Sequence, residues 1–161
     1  MGILNVTPDS FADAPGVDAG AAVDRALRME DWGADIIDVG GESTRPGAEP
    51  VPADEERRRV LPVVERLAGR LAIPLSIDTY KAAVAADALA AGAVIVNDVS
   101  GLSYDSSLGD PVARYGAALV LMHTRGRSKA MYREAAYGDV VRDVAGELRA
   151  AIDTQLRNWV G

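Results

Sequence analysis

Five short apolar runs constrain this chain's fold more than any other feature: 2–6 (GILNV), 35–39 (DIIDV), 74–78 (PLSID), 93–98 (AVIVND) and 117–122 (AALVLM). A segment of helical periodicity separates each run from the next. Strands this far apart in sequence cannot be joined by hairpins, so the alternation predicts βαβ units and a parallel sheet. In the first connecting segment Ala19, Ala22, Val23, Ala26 and Leu27 share one helical face, with Asp18 placed to cap its start. Val60, Leu61, Val64, Leu67, Ala68 and Leu71 repeat the pattern in the second, behind Asp54, Glu55 and Glu56, an acidic start that suits a helix N-terminus. Val84, Ala85, Ala88 and Leu89 mark the third. Asp110 and Pro111 stand as N-cap and first residue of a short fourth helix. A longer fifth carries Val141, Val144, Ala145, Leu148 and Ile152, expected near its buried stripe.

A length of 161 residues suits one domain. The formal charge of −7, with both signs mixed along the chain, argues against nucleic acid or an anionic membrane as the main partner. No stretch approaches the roughly 18 uninterrupted apolar residues of a membrane span. With no cysteine and one histidine, disulfides, thiol chemistry and structural zinc are excluded. No secretory signal is evident, and the expected setting is a reducing cytoplasm.

The polar residues collect where the strands run out. Asn5, Asp38, Asp78, Asn97, Asp98 and His123 all lie at or just past a C-terminal strand end, the edge at which parallel α/β proteins bind ligands. A single polar strand terminus is usually a turn. The same feature on all five strands points to a shared site, because buried Asp and Asn need partners that a polar ligand can supply. Carboxylates on neighbouring strand ends can accept the paired N–H donors of a guanidine-like heterocycle edge, and an amide can both donate and accept, which suits a pterin or guanine better than a sugar. For Asp78 the competing reading is a cap on the helix beginning near Tyr80. The second strand opens into GGESTRPGAEP, whose glycines would let backbone N–H groups approach an anion and whose Arg45 adds a planar donor fork. That loop is neither a Walker loop nor a dinucleotide fingerprint. His123 has no second His or Cys nearby, which disfavours a transition-metal site, while an oxygen-bound hard ion such as Mg²⁺ stays compatible. Arg125, Arg127, Lys129 and Arg133 form a basic run that reads first as a solvated loop and second as a guide for an anionic substrate.

Four stretches, GILNVTPDSF, DVGGESTRPGA, SIDT followed by NDVSG, and LVLMHTRG, resemble in order the dihydropteroate synthases of the pterin-binding family. The resemblance implies a TIM-type (β/α)₈ barrel, here incomplete, with about five βα units present. It implies condensation of 6-hydroxymethyl-7,8-dihydropterin pyrophosphate with p-aminobenzoate, a step of folate biosynthesis inhibited by sulfonamides. Pyrophosphate would leave first, and the aromatic amine would then attack the pterin cation. Carried over residue by residue, Asn5 would help hold Mg²⁺, Thr44 and Arg45 would contact the phosphates, Asp78 and Asn97 would hold the pterin edge, Met122 would pack near its ring, and Asp38 would support the pocket floor. Phe11 and Pro46 would help enclose p-aminobenzoate. Asp78 and Arg45 are the expected catalytic pair. The full-length parent is expected to be a homodimer.

Departures from the family pattern shape these expectations. The first loop reads FADAPGVDAG, keeping Asp13 but not the paired glycines that commonly follow the Phe in the family. The family's later Asp-Pro-Gly, Ser-Arg-Lys and Arg-x-His segments have no counterpart. Residues 1–161 are therefore expected to be a partial barrel domain, truncated on its C-terminal side and inactive alone. Two other readings stay open: a pterin-binding paralogue without turnover, and a pterin-dependent methyltransferase. Periodicity alone would also fit an open five-stranded sheet of flavodoxin type.

Overall fold

The computed structural model describes residues 1–7, 18–44, 48–125 and 136–159, with side chains described as far as residue 153. Among these residues five strands alternate with five helices: β1 (Gly2–Asn5), α1 (Ala19–Asp31), β2 (Ile37–Gly40), α2 (Ala53–Leu67), β3 (Leu75–Asp78), α3 (Ala82–Ala90), β4 (Ile95–Asp98), α4 (Gly109–Tyr115), β5 (Ala118–Leu121) and α5 (Val140–Trp159). All neighbouring strands are parallel, and their order in the sheet is β1-β2-β3-β4-β5. That unreversed order decides between the two sheet topologies left open by periodicity. A flavodoxin-type sheet reverses its strand order and carries helices on both faces, whereas sequential order with crossovers of one hand keeps every helix on one side, as in a barrel wall. The protein is a partial (β/α) barrel.

The core lies between strands and helices. Leu4, Val39, Ile77 and Val96 alternate with inward-facing residues along their strands and are fully buried against Ala22, Val23 and Ala26 of α1, Val60, Val63, Val64 and Leu67 of α2, and Val84, Ala85, Ala88 and Leu89 of α3. At about 1.5–3 kcal/mol for each large side chain, this one face supplies the main hydrophobic driving force. Asp18 caps α1 as expected, its Oδ1 accepting from the backbone N–H of Gly20 at 2.8 Å and Ala21 at 3.2 Å.

Two expectations for the later helices are corrected. Helix α4 begins at Gly109, with Leu108 in the cap position, because the turn is already wound at Asp105, whose carbonyl accepts from Leu108 N (3.2 Å) and whose Oδ1 accepts from Ser107 N (3.0 Å). In α5 the apolar stripe is only partly covered: Val144, Leu148 and Ala151 are half-buried, whereas Val141, Ala145 and Ile152 are exposed.

Candidate functional site

The strand registers place one residue of each strand in a single row on the face away from the helices: Asn5, Gly40, Asp78, Asn97 and Val120. One layer below lie Ile3, Asp38, Ser76, Ile95 and Ala118. Four of the residues expected at the site from the strand ends therefore share one surface. The Nδ2 of Asn97 donates to Asp38 Oδ2 at 3.0 Å, reaching from β4 to β2 over the intervening strand. In a flat sheet those strands would stand roughly 10 Å apart, so the contact depends on the inward curvature of a barrel wall.

Three buried oxygens on this surface, Asp38 Oδ1, Ser76 Oγ and Asp78 Oδ1, have no hydrogen-bond partner among the described residues. Orphaned buried polar atoms are rare and call for a partner such as a ligand or water. Burial pushes the Asp78 carboxyl up to about 7, and Asp38, Glu56, Asp98 and Glu42 add to the effect. A ligand presenting N–H donors would reverse it, since hydrogen bonds to a carboxylate favour its charged form. The rival role for Asp78 is not observed. Helix α3 starts at Ala82, whose N–H is accepted by Asp105 Oδ2 at 2.8 Å.

The remaining expected residues are distributed as follows. Asn5 is exposed at the top of β1, and Thr44 is exposed in the β2–α2 connection. Met122, the residue just past the end of β5, lines a cavity of about 230 Å³ shared with Gly101, His123, Glu147 and Leu148. Arg45, Pro46 and Phe11 lie outside the described residues, as do Asp9, Asp13, Arg127, Lys129 and Arg133. His123 Nε2 lies 2.7 Å from Glu147 of α5, and Arg125 also bonds Glu147. Those contacts, Arg125 first, hold the Glu147 carboxyl down to about 2. Asp98 is a correction. Strand alternation turns it toward the helices, where it accepts from Ser100 N (2.7 Å) and Leu102 N (2.6 Å) and holds Leu102 at a φ of 67°. It shapes the β4–α4 loop and is no part of the inner row.

The paired glycines after β2 also have roles the sequence did not reveal. A Cβ on Gly40 would sit 3.2 Å from Asp78 Oδ2, and one on Gly41 would sit 2.8 Å from Val60 Cγ1 of α2. One makes room for the site carboxylate and the other for a helix. Beside them lies a half-buried network missed by sequence reasoning. Glu42 accepts from Lys81 Nζ (2.5 Å), Tyr80 Oη (2.9 Å) and Val51 N (2.9 Å), and Lys81 also bonds Glu56. The only signal available was an acidic residue immediately after a Gly-Gly pair.

The sequence pattern of the family described as pterin binding enzyme matches residues 1–159. The chain belongs to this family. Among its relatives, the dihydropteroate synthase of Bacillus subtilis (strain 168) is 47% identical over 156 residues, covering 94% of this chain and 51% of the relative. A dihydropteroate synthase from Xanthomonas albilineans, solved with 4-aminobenzoic acid, superposes with a TM-score of 0.86 at 46% identity, over 98% of this chain and 55% of that one. The Burkholderia cenocepacia enzyme, solved with 7,8-dihydropteroate, gives 0.81 at 46% identity, over 98% and 52%. The chain thus spans about half the length of the relatives named simply dihydropteroate synthase that it matches.

Proposed function

We propose that this family member is part of a dihydropteroate synthase, joining 6-hydroxymethyl-7,8-dihydropterin pyrophosphate to p-aminobenzoate with release of pyrophosphate. The observation that carries the reading is the inner row itself. Asp78 and Asn97 stand side by side in register, Asp38 lies beneath them, and buried oxygens have no partner among the described residues. A pterin edge supplies the missing N–H donors, and Asn97, already fixed by Asp38, can accept from or donate to the same ring. As the C–O bond breaks and pyrophosphate leaves, positive charge develops on the pterin, and an ionised Asp78 at its edge stabilises it. The amine of p-aminobenzoate then forms the C–N bond and loses its proton. Thr44 and Arg45 serve the phosphates, Phe11 and Pro46 the p-aminobenzoate, and Met122 the pterin face.

Magnesium fits this reading in a restricted way. Asn5 offers one hard oxygen donor at the β1 end of the row, and among the described residues no group of three His, Cys, Asp or Glu is gathered to hold a metal. A single protein ligand suits an ion that keeps its waters and takes its other ligands from phosphate, where it would offset charge on the leaving group. The reading extends to a cytoplasmic, homodimeric enzyme with no nucleic-acid or membrane partner and with sulfonamides competing for the p-aminobenzoate site. Family membership and the −7 charge support it.

The test is dihydropteroate formation by the full-length parent enzyme (the full chain), of which this reading makes residues 1–161 a part, from the two substrates with Mg²⁺, alongside binding of a bare pterin. Product formation that depends on p-aminobenzoate supports the synthase. Pterin binding with no product favours the paralogue instead.

A further inference from the structure

We propose that Glu42 is a positioning residue that sets the β2–α2 connection for pyrophosphate binding. The inference rests on the synthase reading for its ligand and on separate geometry for its substance. The connection leaves β2 at Gly41, whose carbonyl accepts from Arg59 Nη1 of α2 at 2.9 Å. The next residue, Glu42, turns its carboxylate back toward the protein. One oxygen accepts from Tyr80 Oη, and the other accepts both from Lys81 Nζ and from the backbone N–H of Val51, nine residues further on. A single side chain thus closes the base of the connection and ties it to Tyr80 and Lys81, which follow Asp78 by two and three residues. Thr44 stands two residues beyond Glu42, at the start of the segment whose base that anchor closes.

The charge count argues that this network does more than fill space. Lys81 is shared between Glu42 and Glu56, so one ammonium meets two carboxylates, and Glu56 is only 1% exposed with its Oε1 unpaired among the described residues. Apolar side chains of similar volume would seal the same position without desolvating three charges. What they could not supply is an acceptor that meets Val51 N, Tyr80 Oη and Lys81 Nζ at once. Geometric specification is the best-attested use of such buried polar groups. Its beneficiary here is the segment that carries Thr44.

The test compares ligands with and without phosphates on the full chain. Calorimetry would measure 6-hydroxymethylpterin, its pyrophosphate ester with Mg²⁺, and inorganic pyrophosphate with Mg²⁺, on wild type and Glu42→Gln. The substitution leaves the Lys81–Glu56 pair in place and removes the excess negative charge, so the fold is retained. The expected result is bare-pterin affinity within about twofold of wild type, with both pyrophosphate ligands weakened about tenfold, the equivalent of one charge-assisted hydrogen bond. Tyr80→Phe, which removes one donor to Glu42, should weaken the same two ligands by a smaller factor. Unchanged pyrophosphate affinity in Glu42→Gln overturns the proposal, and so does equal weakening of all three ligands, which would mark Glu42 as a support of the fold alone. If inorganic pyrophosphate responds as expected while wild type takes up no pterin, the positioning role stands and the synthase reading falls.

Discussion

The Asp78 carboxyl connects acidity to stability and to chemistry. Its value in the folded protein, about 7, lies above the ordinary 3.8. Between roughly pH 4 and 7 the folded state therefore holds a proton that the unfolded chain has released, and stability falls as pH rises through that window before levelling off. Asp78→Asn should flatten this slope, leaving the variant more stable than wild type at pH 8 by on the order of 2–4 kcal/mol, measured by urea unfolding at pH 5 and pH 8. In the full chain the same variant should lose about 10²-fold or more in kcat, since the amide keeps the shape but not the charge facing the pterin cation. Turnover unchanged in a well-folded variant would remove Asp78 from the mechanism. Gly41→Ala should cost about 1–3 kcal/mol by pushing on Val60, read as a lower melting temperature. Much of this row was legible in the sequence, because polar residues ending apolar strands stand out. Asp98 misled for a reason that strand parity exposes: if Val96 is core, Asp98 shares its face and Asn97 does not. The packing roles of Gly40 and Gly41 were illegible, since they depend on side chains contributed by β3 and α2.

Among the elements, α2 and α3 are held together by the Lys81 network as well as by apolar contact. Replacing Lys81 by Met should leave two carboxylates in a poorly solvated place and cost about 3–5 kcal/mol. Adding Glu56→Gln should recover much of that loss, and urea unfolding of the single and double variants would show it. Equal stabilities for the two variants would mean that Glu56 is not compensated by Lys81. Helices α1 and α3 could be read from sequence almost residue by residue, because each packs one stripe on the sheet and the stripe is apolar. In α2 the acidic first turn reads as a helix-dipole feature, yet Glu56 points into the protein. Its partner Lys81 lies 25 residues away, beyond the reach of any local pattern. Helix α5 shows the opposite failure: an amphipathic stripe says that a face can be buried, but not what stands opposite it.

At the scale of the whole molecule, among the described residues the curved sheet has two unpaired edges, β1 and β5, and an open inner face on which Ile3 (58% exposed) and Val120 (44%) meet solvent, with Met122 (44%) exposed just past β5. Unpaired apolar parallel strands are templates for association. Residues 1–161 expressed alone should therefore elute as concentration-dependent oligomers in size-exclusion chromatography and make no dihydropteroate. Ile3→Lys with Val120→Lys should shift the elution toward monomer. A monodisperse, cooperatively melting monomer of wild-type sequence would contradict the expectation. The hydrogen bond from Asn97 to Asp38 spans 59 residues and crosses β3, so it forms only when β2, β3 and β4 are all paired in native register. A slip of β3 by one residue would carry Asp78 to the helix face and Ile77 into the row. The pocket is in this sense an inspection of its own assembly: a small molecule that grips Asp78 and Asn97 together recognises only chains whose central strands have annealed correctly. During synthesis or refolding such a molecule would act as a chaperone by mass action, stabilising the native state by RT ln(1 + [L]/Kd) and leaving misregistered chains to degradation.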